Sequence, residues 1–228
     1  NFQEFWVNGR RHIDKNAANN KLVNNFHKGI VEQKVSYIVG EPITIGSEND
    51  ALLKSTREVL GEDFDDMMYS WAKGSSNKGR EWIHVYRGGA GEFRYSIIPA
   101  QQIIAIYDSD KQKDLIGVIR YYPIAVFAGK EKSERIKAQW WTTRDVTYYV
   151  TDEHGHFVLD PDHEINPSPH WHVITLSSAG EELSREGESW GRVPFVCLKN
   201  NDEQTSDLED YKTLIDAYNY TMSSGSND

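Results

Sequence analysis

Cysteine is almost missing from this sequence: 228 residues hold one, Cys197. A single thiol closes no intramolecular disulfide, which suits a reducing compartment. It lies in an apolar run, where a small buried hydrophobe is expected rather than a nucleophile. Long apolar stretches are missing too. None reaches the ~18 residues that a membrane-crossing helix needs. Cationic excess is absent: 25 Lys and Arg face 35 Asp and Glu, for a net charge of −10. That argues against a surface built to grip nucleic-acid phosphates, which needs clustered cations, but not against DNA passing by without being held. The common catalytic phrases G-x-S-x-G and H-E-x-x-H are absent. Residues 74–79 have the outer spacing of a phosphate-binding loop, but Arg80 and Glu81 follow where Lys and a hydroxyl residue belong. They are expected to form a helix-to-strand loop. Repeats and low-complexity tracts are missing, and no signal peptide is visible. The chain opens on Asn1, not Met, and stops at SSGSND, so both ends read as cut.

What is present describes a globular chain. Apolar residues make up 38% and charged residues 26%, and twelve Tyr, eight Phe and seven Trp can supply a core. The length suits one large domain or two small ones. The pattern implies an α+β fold: N-terminal helices, a β-rich middle of antiparallel strands and a C-terminal amphipathic helix. Residues 1–18, with Arg10, Arg11, His12 and Lys15, read as an extended or poorly ordered arm. Leu22, Val23, Phe26, Ile30, Val31, Val35 and Ile38 recur at helical spacing, predicting a helix over 20–39 capped by Asn19 or Asn20 and ended by Gly40 and Pro42. Ile43 and Ile45 suggest a short strand. Helices follow from Asn49 or Asp50 and over 64–72. From residue 81 the period changes to two, predicting strands at 82–87, 92–97, 102–107, 115–122, 139–141, 145–151 and 156–159. Residues 160–190 read as loop with one strand near 171–176.

Several clusters invite a chemical reading. His154, His156, His163, His170 and His172 lie among Asp152, Glu153, Asp160, Asp162 and Glu164. Two H-x-H pairs have metal-ligand spacing, since alternate strand residues share a face. A solvated, turn-rich hairpin is the plainer account, because the sequence shows neither three convergent ligands nor an ordering second layer of contacts. The Asp160 to Glu164 run lacks the glycine and spacing of an EF-hand loop. No metal or cofactor site is therefore assigned. Trp140 and Trp141 point to opposite faces of a strand, predicting one in the core and one at a surface or interface. Lys130, Lys132, Arg135 and Lys137, broken by Glu131 and Glu134, read as a solvated loop.

The most informative segment is GRVPFVCLKNNDEQTSDLEDYKTLIDAYNYTMSSGSND, residues 191–228. A short strand at 193–198 leads through a polar loop to a helix. Ser206 is a good N-cap, and Glu209 can complete a capping box. Asp207, Glu209 and Asp210 lie where a helix dipole favours negative charge. Leu208, Tyr211, Ile215, Tyr218 and Met222, with Leu214 beside them, form one apolar stripe. It packs either on this subunit's own sheet or against a neighbouring subunit.

The wording GRVPFVCLKNN…SDLEDYKTLIDAYN resembles a signature of tailed-phage portal proteins, of the siphophage type found in Gram-positive hosts. There a G-x-V-P strand enters a K-N-N loop, then S-D-L, then an L-I-D-A-Y-N helix. NKLVNNFHKGIVEQKVSYIVGEPITI is similar to a second family segment, a helix ending in a Y-x-x-G-x-P turn. SIIPAQQIIAIYD and LIGVIRYY also fit. The resemblance implies an N-terminal arm over 1–19, a wing-like domain over 20–200, and a loop and stem start over 201–228. The clip, tunnel helix and crown are expected to be absent. It further implies a structural, non-catalytic subunit in a homo-oligomeric ring of about twelve at a capsid vertex of the virion, assembled in the host cytoplasm. The ring would form the channel for DNA packaging and ejection, with double-stranded DNA passing without sequence-specific binding. Implied partners are the terminase large subunit, major capsid and scaffolding proteins and a head-to-tail adaptor, with no membrane. Leu208, Tyr211, Leu214, Ile215, Tyr218 and Met222 are then candidate subunit-interface residues of the stem. Asp207, Glu209, Asp210 and Asp216 are candidate channel-facing acids. The competing readings are a metal-dependent hydrolase using the 154–172 histidines and another phage head–tail structural protein.

Overall fold

A computed structural model describes residues 4–13, 20–110, 113–128 and 131–226. Lys15, Lys130 and the proposed cap Asn19 lie outside them. The chain folds as two compact units that interleave in sequence. The first comprises Asn1–Ile43, Met68–Arg80 and Lys199–Asp228; the second comprises Thr44–Met67 and Glu81–Leu198. The class is mixed α+β, with antiparallel ladders.

In the first unit, strands β1 (Glu4–Val7) and β2 (Arg10–Ile13) pair as a hairpin where an extended arm is expected. Helix α1 (Phe26–Val39) starts six residues later than its periodicity predicts. Its cap is Asn25, whose side chain accepts from Lys28 N at 3.2 Å. The reason is tertiary. The backbone N–H groups of Leu22 and Asn24 donate to Ser223 Oγ and Asn219 Oδ1 at 2.9 and 3.0 Å. Side chains of helix α4 (Asp207–Gly225) thus replace the bonds another helical turn would make. Val31 and Val35 form the buried side of α1.

Helix α3 (Phe64–Lys78) runs through the glycine-serine segment expected to be loop. Ser75 and Ser76 are buried, and burial in partnered company overrides their weak helix propensity. Gly79 stops the helix at φ +84°, and a Cβ there would lie 2.0 Å from the Gln204 carbonyl oxygen. Only glycine fits that turn.

In the second unit, α2 (Asp50–Leu60) begins at Asn49, which accepts from Leu52 N at 3.1 Å. Ile43 and Ile45 enter no ladder; the chain there is irregular. Strands β3 (Arg80–Arg87), β4 (Phe93–Ile98) and β13 (Phe195–Lys199) form a sheet in the order β13-β3-β4. Strands β5 (Ile103–Tyr107), β6 (Leu115–Ala128), β7 (Glu131–Trp141), β8 (Asp145–Thr151), β9 (Phe157–Leu159) and β10 (Ser168–Pro169) form a six-stranded sheet in the order β10-β8-β7-β6-β5, with β9 on β8. Trp82, Ile98 and Phe195 of the first sheet and Ile103, Val118, Trp141 and Val146 of the second bury one shared core. Cys197 packs at its edge, half-buried.

Two strand expectations fall short. The β6–β7 hairpin is paired from Val118↔Trp141 to Ala128↔Glu131, so Lys132, Arg135 and Lys137 sit on a strand, not a loop. Lys132 and Arg135 lie on its two-stranded outer part, and Lys137, opposite Val150 of β8, pairs with the buried Asp160 at 2.8 Å, so these charges interrupt no core. The second miss is β12 (Glu182–Glu188), which pairs with β11 (Trp171–Leu176) and is exposed along its whole length. Its ELSREGE sequence carries no apolar alternation to read.

Candidate assembly surfaces

Helix α4 is fixed at its start by a polar clasp. Asp207 receives both carboxylate bonds from Lys34 Nζ at 2.9 Å, one from Asn200 Nδ2 at 2.7 Å, and one from the Ser76 hydroxyl. Lys34 also donates to Asn200 Oδ1 at 2.7 Å. Three chain segments therefore meet on one carboxylate. Burial pushes the Asp207 carboxyl upward, but hydrogen bonds from Asn200, Ser76 and Lys34 outweigh it and hold it below the usual range. The loop before it is stapled internally: Thr205 N donates to Asn201 Oδ1 at 2.9 Å, and Arg80 donates to Gln204 Oε1 at 2.9 Å. Ser206 caps the helix by accepting from Leu208 N at 3.2 Å. Glu209 N donates to the Ser206 carbonyl at 3.1 Å.

The stripe divides along its length. Leu208, Tyr211 and Ile215 are half-buried. The Tyr211 hydroxyl lies 2.8 Å from His27 Nδ1, whose Nε2 lies 2.8 Å from Asn77 Oδ1. With Asn77 accepting, the imidazole proton sits on Nε2 and Tyr211 donates to Nδ1. Burial, then Asp207 and Asp210, raise the Tyr211 hydroxyl above its ordinary pKa. Tyr218 meets the Phe26 ring edge-on at 5.2 Å yet stays 47% exposed. Leu214 is 70% and Met222 43% exposed. Of the four acids, Asp207 is engaged in the clasp, Glu209 and Asp210 are exposed, and Asp216 pairs with Lys212 one turn away. Lys34, Ser76 and Asn200 are missed by sequence reasoning. Asn200 lies inside the K-N-N phrase and Lys34 inside the segment over 20–45, but neither phrase marked them as partners of Asp207.

In the second unit the six-stranded sheet has an apolar outer face as well as an apolar inner one. Ile104, Tyr121, Ile136, Trp140, Tyr149 and Phe157 line an open trough there. Trp141 is buried in the core and Trp140 faces outward, dividing as their alternation predicts. Trp140 lies over Gly117, where a Cβ would approach its ring to 2.8 Å.

The histidines do not gather. His154 and His156 sit on the exposed β8–β9 turn, organised by Asp152, which accepts from both their backbone N–H groups at 2.8 Å. His163 stacks on Tyr148 at 3.6 Å, and His170 lies 5.7 Å from Trp141. His172 is on β11. Among the described residues no three His, Cys, Asp or Glu side chains converge as a metal site. Nor is any described helix long and apolar enough to cross a membrane.

Comparison with known proteins identifies the family of the chain. Residues 6–228 match the family described as phage portal protein, SPP1 Gp6-like. The chain is 37% identical over 217 residues to the portal protein of Bacillus phage SPP1, covering 95% of this chain and 40% of that protein. It is 28% identical over 222 residues to the portal protein of Clostridium phage phiCD119, covering 92% of this chain and 45% of that one. The chain thus spans less than half the length of these relatives. The strand, K-N-N loop and capped helix over 195–225 fall within the matched residues, and this chain belongs to the SPP1-like family of phage portal proteins.

Proposed function

We propose that this chain is a structural subunit of the portal ring at one capsid vertex, built from about twelve copies. The observation that carries the reading is the divided stripe of α4. Its first half is half-buried, with Tyr211 bonded to His27 of α1, while Leu214 and Met222 remain open and Tyr218, edge-on to Phe26, keeps nearly half of its surface exposed, on a helix whose start is fixed by the Asp207 clasp. An apolar helix face held in fixed orientation is suited to a neighbouring subunit. The ring provides the channel for DNA packaging and ejection and docks the terminase large subunit. Major capsid and scaffolding proteins surround it, and a head-to-tail adaptor follows. Its place is the virion, after assembly in the host cytoplasm.

The acidic balance supports passage rather than capture, because negative walls repel phosphates. Glu209, Asp210 and Asp216 are the channel-facing candidates. Asp207 is the weakest of the four, since Lys34 neutralises it. The role is structural and asks for no catalytic group. Mass photometry and cryo-electron microscopy of the protein at its natural full length test it. A closed ring of about twelve copies is expected; a strict monomer would overturn the reading.

A further inference from the structure

The outer face of the six-stranded sheet departs from the ordinary pattern of its class. An antiparallel sheet ordinarily buries one face and turns a polar one to water. Here the inner face holds Ile103, Val118, Trp141 and Val146, yet the outer face is apolar too. The ladder sets Ile104 beside Ile119, Ile119 beside Trp140, and Ala138 between Tyr121 and Tyr149. Ile104 is 50%, Tyr121 40%, Ile136 39% and Phe157 54% exposed.

We propose that this face seats a second copy of the chain in the ring. The inference rests on the ring reading above and adds the surface through which copies meet. Three observations favour a copy of this chain over another occupant. First, no charged side chain lines the trough, and aromatic rings make up half of its lining. Depletion of charge with aromatic enrichment marks permanent, homomeric contacts more than transient ones. Second, the lining is three isoleucines, an alanine and four aromatic rings, whose only polar side-chain atoms are the hydroxyls of Tyr121 and Tyr149 and the indole N–H of Trp140. A small-ligand site would instead show several convergent polar groups. Third, a closed ring requires two different patches on every copy, because its contacts are head-to-tail. The sheet face is one, and Leu214, Tyr218 and Met222 of α4 supply a second of different shape.

The test uses the protein at its natural full length. Ile136→Glu and Tyr121→Glu, alone and together, place a charge on the exposed face without entering the core. Wild type is expected to assemble into rings, and each variant to need at least tenfold more protein to do so. Near-ultraviolet circular dichroism and the urea midpoint report whether each variant is folded. Should a variant fail to fold, Ile104→Cys in a Cys197→Ser background carries a polarity-sensitive dye. Its emission should shift to the blue when monomers assemble. Rings of normal mass and stability from folded variants would overturn the inference and leave the ring reading intact. So would a dye equally wet in ring and monomer, or one that dries only when lipid vesicles or another capsid protein is added. A wild-type monomer overturns the ring reading itself, and this inference with it.

Discussion

The two units use opposite means of holding distant segments together. Around α4, residues far apart in sequence meet through hydrogen bonds and charge: Lys34, Ser76 and Asn200 all close on Asp207. Between the two sheets, Trp82, Val118, Trp141 and Phe195 meet through apolar area. The first arrangement fixes direction, because hydrogen bonds are angular and a misplaced helix leaves a charge unpaired. The second fixes mass and rigidity, because burial is strong but has little directional preference. A helix that must present one face to a neighbour needs the first kind of support. A platform that must not deform needs the second.

The largest effect that separates the two is a deletion in the aromatic core. Trp141→Ala removes the ring against which His84, His170 and Phe195 pack, and should cost about 3–5 kcal/mol in urea unfolding. Hydrogen exchange should show lost protection in β3, β7 and β13 while the α4 amides keep theirs; equal loss in both would break the distinction.

The next sharpens it through pH. His84 is buried, stacked on Phe195 at 4.6 Å, with Nε2 lacking a protein partner among the described residues. Burial, then Arg120 and His170, lower its pKa from 6.5 to about 3. The unfolded chain therefore binds the proton first, and the contribution is present in full above 6.5 and fades as pH falls toward 3. Between 6.5 and about pH 4 the loss should be roughly 3 kcal/mol. His84→Phe should flatten stability over that window. An unchanged slope in the variant would assign the pH dependence elsewhere.

A smaller effect belongs to the clasp. Lys34→Ala leaves Asp207 to Ser76 and Asn200, and half-exposed Lys34 has water as an alternative partner. A double-mutant cycle with Asp207→Ala should give a coupling of about 1–2 kcal/mol. A coupling near zero would reduce the clasp to a surface ion pair. The folded carboxyl is lowered, so its contribution holds above the ordinary Asp range and disappears as acid protonates it. Smallest of all, Ser206→Ala should cost about 1 kcal/mol, seen as fraying of the first turn of α4 by hydrogen exchange.

The same contrast explains what the amino-acid sequence disclosed. Apolar alternation is a local signal, so the strands over 80–107 and 145–159 and the division of Trp140 from Trp141 were legible within a residue or two. Ser206, Asn49 and Gly40 were legible because caps act over three residues. Polar partnerships across the chain leave no local trace. The start of α1 shifted because Asn219 and Ser223 supply its missing bonds from nearly 200 positions away. Helix α3 ran on because Ser76 had found Asp207. The β12 strand, with Leu183 its one large apolar residue, was invisible because it has no alternation to read. Of the interface candidates, Tyr211 could be named as apolar, but its bond to His27 could not.

The interleaving of the two units bears on when each can form. Lys34 and Asp207 are 173 positions apart, and Asn20 and Ser226 are 206 apart. A ribosome adding ~5–20 residues per second needs on the order of ten seconds or more to span such a gap. α1 waits through that interval without its partner, and segment 81–198, made within it, supplies every strand of the second unit's sheets except the end residues Arg80 and Lys199. The sheets can therefore condense before α4, and the helix face that carries Leu214 and Met222 is set after them. Two nascent chains at that stage carry the sheet face without the α4 face, and so lack one of the two different patches that a head-to-tail contact joins.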